Sequence, residues 1–335
     1  MPKCEYVAMR KTMSARMCYT RAMSVIPSIL FVLLALSCPV LGDASPGIGP
    51  YATAVEIPIS IRNELDVVLE SGREYLGSRQ GEDGLWDIGA AERSSLPAFA
   101  FLEPPQFGIE PTAALRKAVS SAMGRLARSA PFVQSREMLL AMAEDALVVA
   151  ASLSVFPSAS VLPADADVAV LHAVRTRLAA VDWDTESWTA AWLYRTVLDL
   201  VPGPGGAGET KAWRQGAADG VPAVRDVALS GLEQLRRGPQ GEPAVRAHLR
   251  WIGVHTDLFR EGAPASTPED LYYLSAFLDS ASPAQAAEAG IPASWRTMVA
   301  QRLIATARSA GTGVRWEGGN DVRQTLFAVA TLVTL

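Results

Sequence analysis

Ten times along this chain, apolar side chains recur at three- and four-residue spacing between prolines and glycines. Only the 3.6-residue period of an α-helix places such positions on one face. Leu65, Val68, Leu69, Gly72 and Leu76 form one side of the first segment, and Asn63, Asp66, Glu70, Arg73 and Glu74 form the other. The same pattern predicts helices at about 112–129, 134–155, 165–180, 185–200, 222–237, 243–260, 268–281, 293–310 and 321–335. Pro111, Pro222, Pro243, Pro268 and Pro292 mark helix starts, and Thr267 precedes Pro268 as a capping hydroxyl. No segment alternates as a strand does, so the expected class is all-α with about ten helices. With 335 residues, 49% apolar and 19% charged, the chain is long enough to bury a sizeable core. This composition excludes disorder, collagen and small disulfide scaffolds.

The amino terminus differs in character. Residues 1–44 carry five basic and two acidic side chains, whereas the remainder carries 25 basic and 33 acidic. No charge occurs from Ala22 to Gly42, and the apolar run Ile29–Leu36 is followed by small residues around Gly42 and Ala44. This reads as a secretory signal peptide over 1–44, placing the chain in the periplasm or outside the cell. Met9, Met13, Met17 and Met23 precede the apolar run, and initiation at Met13 or Met17 would shorten the long basic lead. The alternatives are an uncleaved membrane anchor, disfavoured by Pro27 and Pro39, and a lipoprotein signal at Cys38, disfavoured by the residues around that cysteine.

Cys4, Cys18 and Cys38 all fall inside this segment. The mature chain therefore has no thiol, which removes disulfides, thiolate nucleophiles and Cys-ligated zinc together. Its mildly acidic balance argues against a nucleic-acid partner, and a membrane is a partner only if the N-terminal segment is retained. No cofactor is expected.

Two ends of the chain repeat each other. At an offset of 230, Trp86, Gly89, Arg93, Leu96, Ala98, Ala100 and Leu102 match Trp316, Gly319, Arg323, Leu326, Ala328, Ala330 and Leu332. A helix, a Trp-bearing loop and a small-residue helix thus occur twice, as in stacked helical arrays. The Gly/Pro-rich stretch at 202–221 is read as one loop inside a single domain spanning 45–335.

The stretch Arg73-Glu74-Tyr75-Leu76-Gly77-Ser78-Arg79-Gln80-Gly81-Glu82-Asp83-Gly84-Leu85-Trp86 resembles the QW motif of the terpene cyclase and prenyltransferase superfamily, with Tyr75, Leu76, Gln80, Gly84 and Trp86 at its anchor positions. In the second copy Trp316 is kept, while the Gln position has changed and the Gly spacing differs by one. The resemblance implies an α/α toroid, like the squalene cyclase and prenyltransferase/squalene oxidase repeat proteins. Inner and outer helices would alternate around a cavity. It also implies a structural clasp, with Gln80 bonding backbone at a neighbouring helix end and lying on Trp86.

Class II cyclases of that superfamily use an Asp-x-Asp-Asp acid. Here Asp182-Trp183-Asp184-Thr185 lacks one Asp. Asp182 and Asp184 are the candidate acids; the bland reading makes Asp184 the cap of a helix starting at Thr185. Trp188 and Trp192, four apart, are candidates to line a ligand cavity or simply to pack. The Cys-dependent zinc site of protein prenyltransferases has no counterpart. His172, His248 and His255 do not supply three converging ligands, so no metal is expected. Tyr272, Tyr273, His255 and Arg260 would serve a lyase-like carbohydrate site, and Leu271-Tyr272-Tyr273-Leu274 is more simply a packing surface. Glu82, Asp83 and Asp87 lack the order of a calcium loop.

The resulting expectation is an exported binding or scaffolding toroid that takes an apolar small molecule or a protein partner. The alternatives are a cyclase-like enzyme and, more weakly, a carbohydrate-active toroid. The apolar last helix must be covered, either by the first helices or by a partner.

Overall fold

A computed structural model describes residues 57–89, 92–102, 110–129, 135–156, 158–164, 167–181, 187–201, 223–256 and 266–335. Among them are twelve α-helices: α1 (Ile59–Arg79), α2 (Ala113–Ser129), α3 (Arg136–Val155), α4 (Ser158–Val161), α5 (Ala169–Ala179), α6 (Trp188–Leu200), α7 (Val224–Arg236), α8 (Glu242–His255), α9 (Pro268–Ser280), α10 (Pro283–Glu288), α11 (Trp295–Thr306) and α12 (Asp321–Thr334). A 3₁₀ segment spans Leu96–Phe101. The class is all-α. The helix starts follow capping chemistry: Thr267 and Asp270 form a reciprocal capping box ahead of Pro268, and Ser282 with Gln285 does the same for α10.

Two boundaries and two hairpins correct the sequence reading. The helix expected from Thr185 begins at Trp188, and its N-cap is Ser187, whose hydroxyl accepts from Ala190 N at 3.2 Å. Asp182 and Asp184 lie outside the described residues, as do the signal segment and the loop at 202–221. Strands, expected nowhere, occur as two small antiparallel hairpins, β1–β2 (Trp86–Gly89, Glu92–Ser94) and β3–β4 (Arg308–Ser309, Val314–Arg315). Each pairs only two or three residues, too few for alternation to register in the sequence. The second hairpin also cuts the helix expected over 293–310 back to Thr306.

Burial divides the helices into two kinds. α1 buries only Leu65, Gly72, Tyr75 and Leu76, one stripe of an amphipathic helix. In α3 the run Met142–Ser152 is buried without interruption, in α9 everything from Leu271 to Leu278, and in α12 everything from Gln324 to Leu332. Helices covered on every side must have neighbours on every side. The contacts close into a cycle: α3 on α6, α6 on α7, α7 on α9, α9 on α12, α12 on the 3₁₀ segment, and that segment on α3. α1, α2, α5, α8 and α11 pack against this cycle. α3 is long and apolar enough to cross a membrane by length and composition, but neighbouring elements bury two-thirds of its apolar window. The last helix is covered within the chain, by α1, α9 and the 3₁₀ segment.

The two tryptophans of the repeat do the same job. Both rings are fully buried. Trp86 donates its indole N–H to the carbonyl of Leu76 at 2.6 Å, and Trp316 donates to that of Leu303 at 2.8 Å. Each acceptor lies three residues before the last residue of its helix, α1 or α11; the carbonyl of Leu303 also accepts from Ala307 N at 3.1 Å, so there the indole adds a second donor. Gln80 secures the first copy by donating to the carbonyls of Gly84 and Ala114, both at 2.9 Å. It thereby joins the loop after α1 to the start of α2. Gly84 adopts φ +85°, and a Cβ there would stand 2.6 Å from the carbonyl oxygen of Lys117. Only glycine lets this loop lie on α2.

Replacing Gly84 by Ala is expected to destabilise the chain by about 1–3 kcal/mol. Trp86→Phe and Trp316→Phe each remove one buried hydrogen bond at a cost of about 1–3 kcal/mol. Urea unfolding of the three variants checks both figures, and losses below about 0.5 kcal/mol would show that the clasps are not structural.

Candidate functional site

From Met138 to Ala164 the only charges are Glu144 and Asp145, placed at the centre of the most apolar helix. Two consecutive hydroxyls meet them: Ser94 Oγ donates to Glu144 Oε2 at 2.7 Å, and Ser95 Oγ donates to Asp145 Oδ1 at 2.6 Å. These bonds hold the end of β2, and with it the start of the 3₁₀ segment, against α3. The two acids then part company. Asp145 is ion-paired with Arg125 of α2, which also donates to the carbonyl of Arg93 at 2.8 Å. Glu144 has no ion-pair partner among the described residues and borders a cavity of about 430 Å³. Burial pushes its carboxyl up to about 7, with Asp145 adding to the rise, while the Ser94 hydrogen bond and the Arg323 charge oppose it.

The cavity is walled by rings. Trp192 of α6 meets Tyr273 of α9 edge-on, with centroids 5.5 Å apart. Tyr272 lies 5.1 Å from Tyr273, and Phe327 of α12 lies 5.3 Å and 5.8 Å from the two tyrosines. Phe99 of the 3₁₀ segment borders the same space. The tyrosine hydroxyls are pushed well above their usual range by burial. They stay protonated at any ordinary pH, which unfits them to act as bases. Apart from Glu144, the polar border is built of compensated charge. Arg323 makes a two-point contact with Glu269, Nε to Oε2 at 3.2 Å and Nη2 to Oε1 at 2.9 Å. Arg225 lies 3.4 Å from the same carboxylate and 3.6 Å from Asp226.

Of the residues singled out in the sequence, Trp192, Tyr272 and Tyr273 line this cavity; Ser187, three positions after Asp184, lines it too. Trp188 opens α6, and its side chain lies outside the described residues, as does all of Arg260. Tyr75, Gln80, Gly84, Trp86 and Trp316 serve the clasps; the ring of Tyr75 lies under the guanidinium of Arg79 at 5.3 Å. The histidines are apart from the cavity. His248 bonds Ser230 Oγ at 2.9 Å, His255 stacks on Trp251 at 4.6 Å, and His172 is exposed. The imagined lyase constellation is therefore corrected: Tyr272 and Tyr273 face the cavity, but His255 does not join them. Asp83 and Asp87 are both ion-paired with Arg93. Among the described residues no group of three or more His, Cys, Asp or Glu stands ready to hold a metal.

Glu144, Glu269 and Arg225 had no place in the sequence reading of the site, and Arg323 entered it only as a repeat position. An acidic pair in the middle of an apolar helix was the available signal, because charge is buried there only with a partner or a purpose.

The Glu144 carboxyl rises from 4.5 to about 7 on folding. The folded state thus binds the extra proton between those pH values, and stability contributed by this group is lost as pH rises through 7. Asp145, Asp199 and Asp279 are raised by burial in the same sense. Glu144→Gln keeps an acceptor for Ser94 and removes the ionisation. It is expected to stabilise the chain at pH 8 by roughly 2–3 kcal/mol relative to wild type, with little effect at pH 4.5. Thermal unfolding across pH 4.5–8.5 tests this, and an unchanged difference between variant and wild type over that range would contradict it. The chain matches no family model, no curated protein and no solved structure.

Proposed function

We propose that this protein is an exported α/α toroid of the terpene cyclase and prenyltransferase repeat kind whose central cavity binds a small, largely apolar molecule. The carrying observation is the cavity itself, about 430 Å³ bordered by Trp192, Tyr272, Tyr273, Phe327 and Phe99. That volume lies in the range of about 300–1,000 Å³ usual for small-molecule sites, and the mixture of apolar wall and few polar groups is usual there too. Three things support the toroid: the closed cycle of buried helices, the peripheral helices packed on it, and the repeated Trp clasps. Export rests on the charge-free run after the basic lead at the amino terminus.

A cyclase-like enzyme is the second reading, favoured by a buried carboxyl and aromatic rings sharing one cavity. Protonating an alkene needs an acid far stronger than an ordinary carboxyl, so the site would have to make it more acidic. Burial does the opposite to Glu144, raising it to about 7. Binding without turnover is the better account.

Farnesol serves as the probe. Calorimetric titration is expected to give saturable binding at one site, and the alcohol should be recovered chemically unchanged. Ala330→Phe, which fills part of the cavity, is expected to weaken binding at least about tenfold, and Phe99→Ala, which enlarges it, should keep binding. Asp182→Asn and Asp184→Asn should leave the affinity as it was. Failure of the wild type to bind farnesol or any smaller apolar probe would overturn the proposal. A cyclised product that disappears with Asp184→Asn would establish the second reading instead.

A further inference from the structure

Charge balance around the cavity separates one group from all the others. Arg323 and Arg225 are matched by Glu269, which bridges them, and by Asp226. Asp145, the neighbour of Glu144 on α3, is matched by Arg125 from α2. On β2, Arg93 is held by Asp83 and Asp87, and Glu92 adds only negative charge in the direction of Glu144. The remaining titratable groups on the wall, Tyr272 and Tyr273, are neutral. Glu144 is thus the only charged group on this border, among the described residues, without an ion pair; the charge of Arg323, which is bonded to Glu269, reaches it only from beyond ion-pair distance. Its side chain is nine-tenths buried, Ser94 occupies Oε2, and Oε1 has no hydrogen-bond partner among the described residues.

We infer that the cavity takes a cationic amine, an ammonium group seated at Glu144 with its apolar body against Trp192, Tyr272, Tyr273 and Phe327. Aromatic faces attract cations, and the attraction grows when water is removed. A carboxylate across the same space completes the site by ion pairing and by accepting an N–H at Oε1. An anionic ligand meets the reverse situation. Both arginines are already engaged by carboxylates, and a second negative charge beside Glu144 would raise the cost of burying it. A neutral alcohol would satisfy Oε1 and leave the charge of Glu144 unmatched. The inference rests on the proposal that the cavity binds a small molecule, and names the chemistry of that ligand.

Three probes of one size separate the possibilities: benzylammonium, benzyl alcohol and benzoate, each titrated calorimetrically into the protein at pH 6 and pH 8. Benzylammonium is expected to bind at least about tenfold tighter than benzyl alcohol at pH 8, and benzoate weakest of the three. With the Glu144 carboxyl titrating near 7, the ionised fraction falls about tenfold between pH 8 and pH 6, and the affinity for benzylammonium should fall with it. Glu144→Gln should erase both the preference and the pH dependence while still binding benzyl alcohol, and its circular dichroism confirms that it folds. Benzyl alcohol or benzoate binding as well as benzylammonium, or a preference that survives Glu144→Gln, overturns the cation assignment. If farnesol binds and benzylammonium is not preferred, only the cation assignment falls. If neither farnesol nor any of the three binds, the cavity reading falls with it.

Discussion

An indole N–H aimed at the last turn of the preceding helix, made once near each end of the described chain, is the interaction on which the rest of this architecture depends. Trp86 ties the first hairpin to α1, and Trp316 ties the entry to α12 onto α11. The segment after each tryptophan builds the wall of the cavity: Leu96 and Phe99 after the first, Leu326, Phe327 and Ala330 after the second. The small residues at matched positions of the repeat explain the packing. Ala98, Ala100, Ala328 and Ala330 are buried and let neighbouring elements come close. Gly72 extends this to α1, where a Cβ would approach a methyl of Val329 to 2.7 Å. The ends of the chain are thus joined through α1 and α12.

Glu144 and Asp145 illustrate how adjacency in sequence becomes opposition in space. One step along an α-helix turns a side chain by about 100°, so the two carboxylates serve different neighbours. Asp145 has Arg125 and a serine, which makes it a structural bolt between α3, α2 and β2. Glu144 has a serine and the cavity. Both are desolvated, and the presence or absence of a cation decides which of them is already satisfied by the protein. The same tandem of serines that positions these acids also begins the 3₁₀ segment, since Leu96 N donates to Ser94 Oγ at 3.1 Å. Structural and functional polarity therefore share one junction.

Much of the fold was legible in the chain. The apolar period located the long helices to within a few residues because burial of one face is what makes a helix persist. Thr267, Pro268 and Asp270 marked a boundary that the capping box realises. The hairpins were not legible, because two or three paired residues carry no period, and the start of α6 was displaced because Ser187 caps as well as an aspartate does. At the site, Trp192 was found for its aromatic spacing. Nothing in the position of Glu269 along the chain foretells its pairing with Arg323, 54 residues away.

The sequence by itself determined the helical class, the approximate places of the long helices, the repeated Trp loops and the confinement of every cysteine to the N-terminal segment. These are consequences of local spacing and composition, which act within a few residues. Only the tertiary structure decided which helices are surrounded and which are peripheral, that the last helix is covered by the first, and that two arginines of the cavity border are ion-paired while Glu144 has no ion-pair partner among the described residues. Those facts depend on distances between residues far apart in the chain, and electrostatic balance in a buried site is set by such distances rather than by order along the backbone.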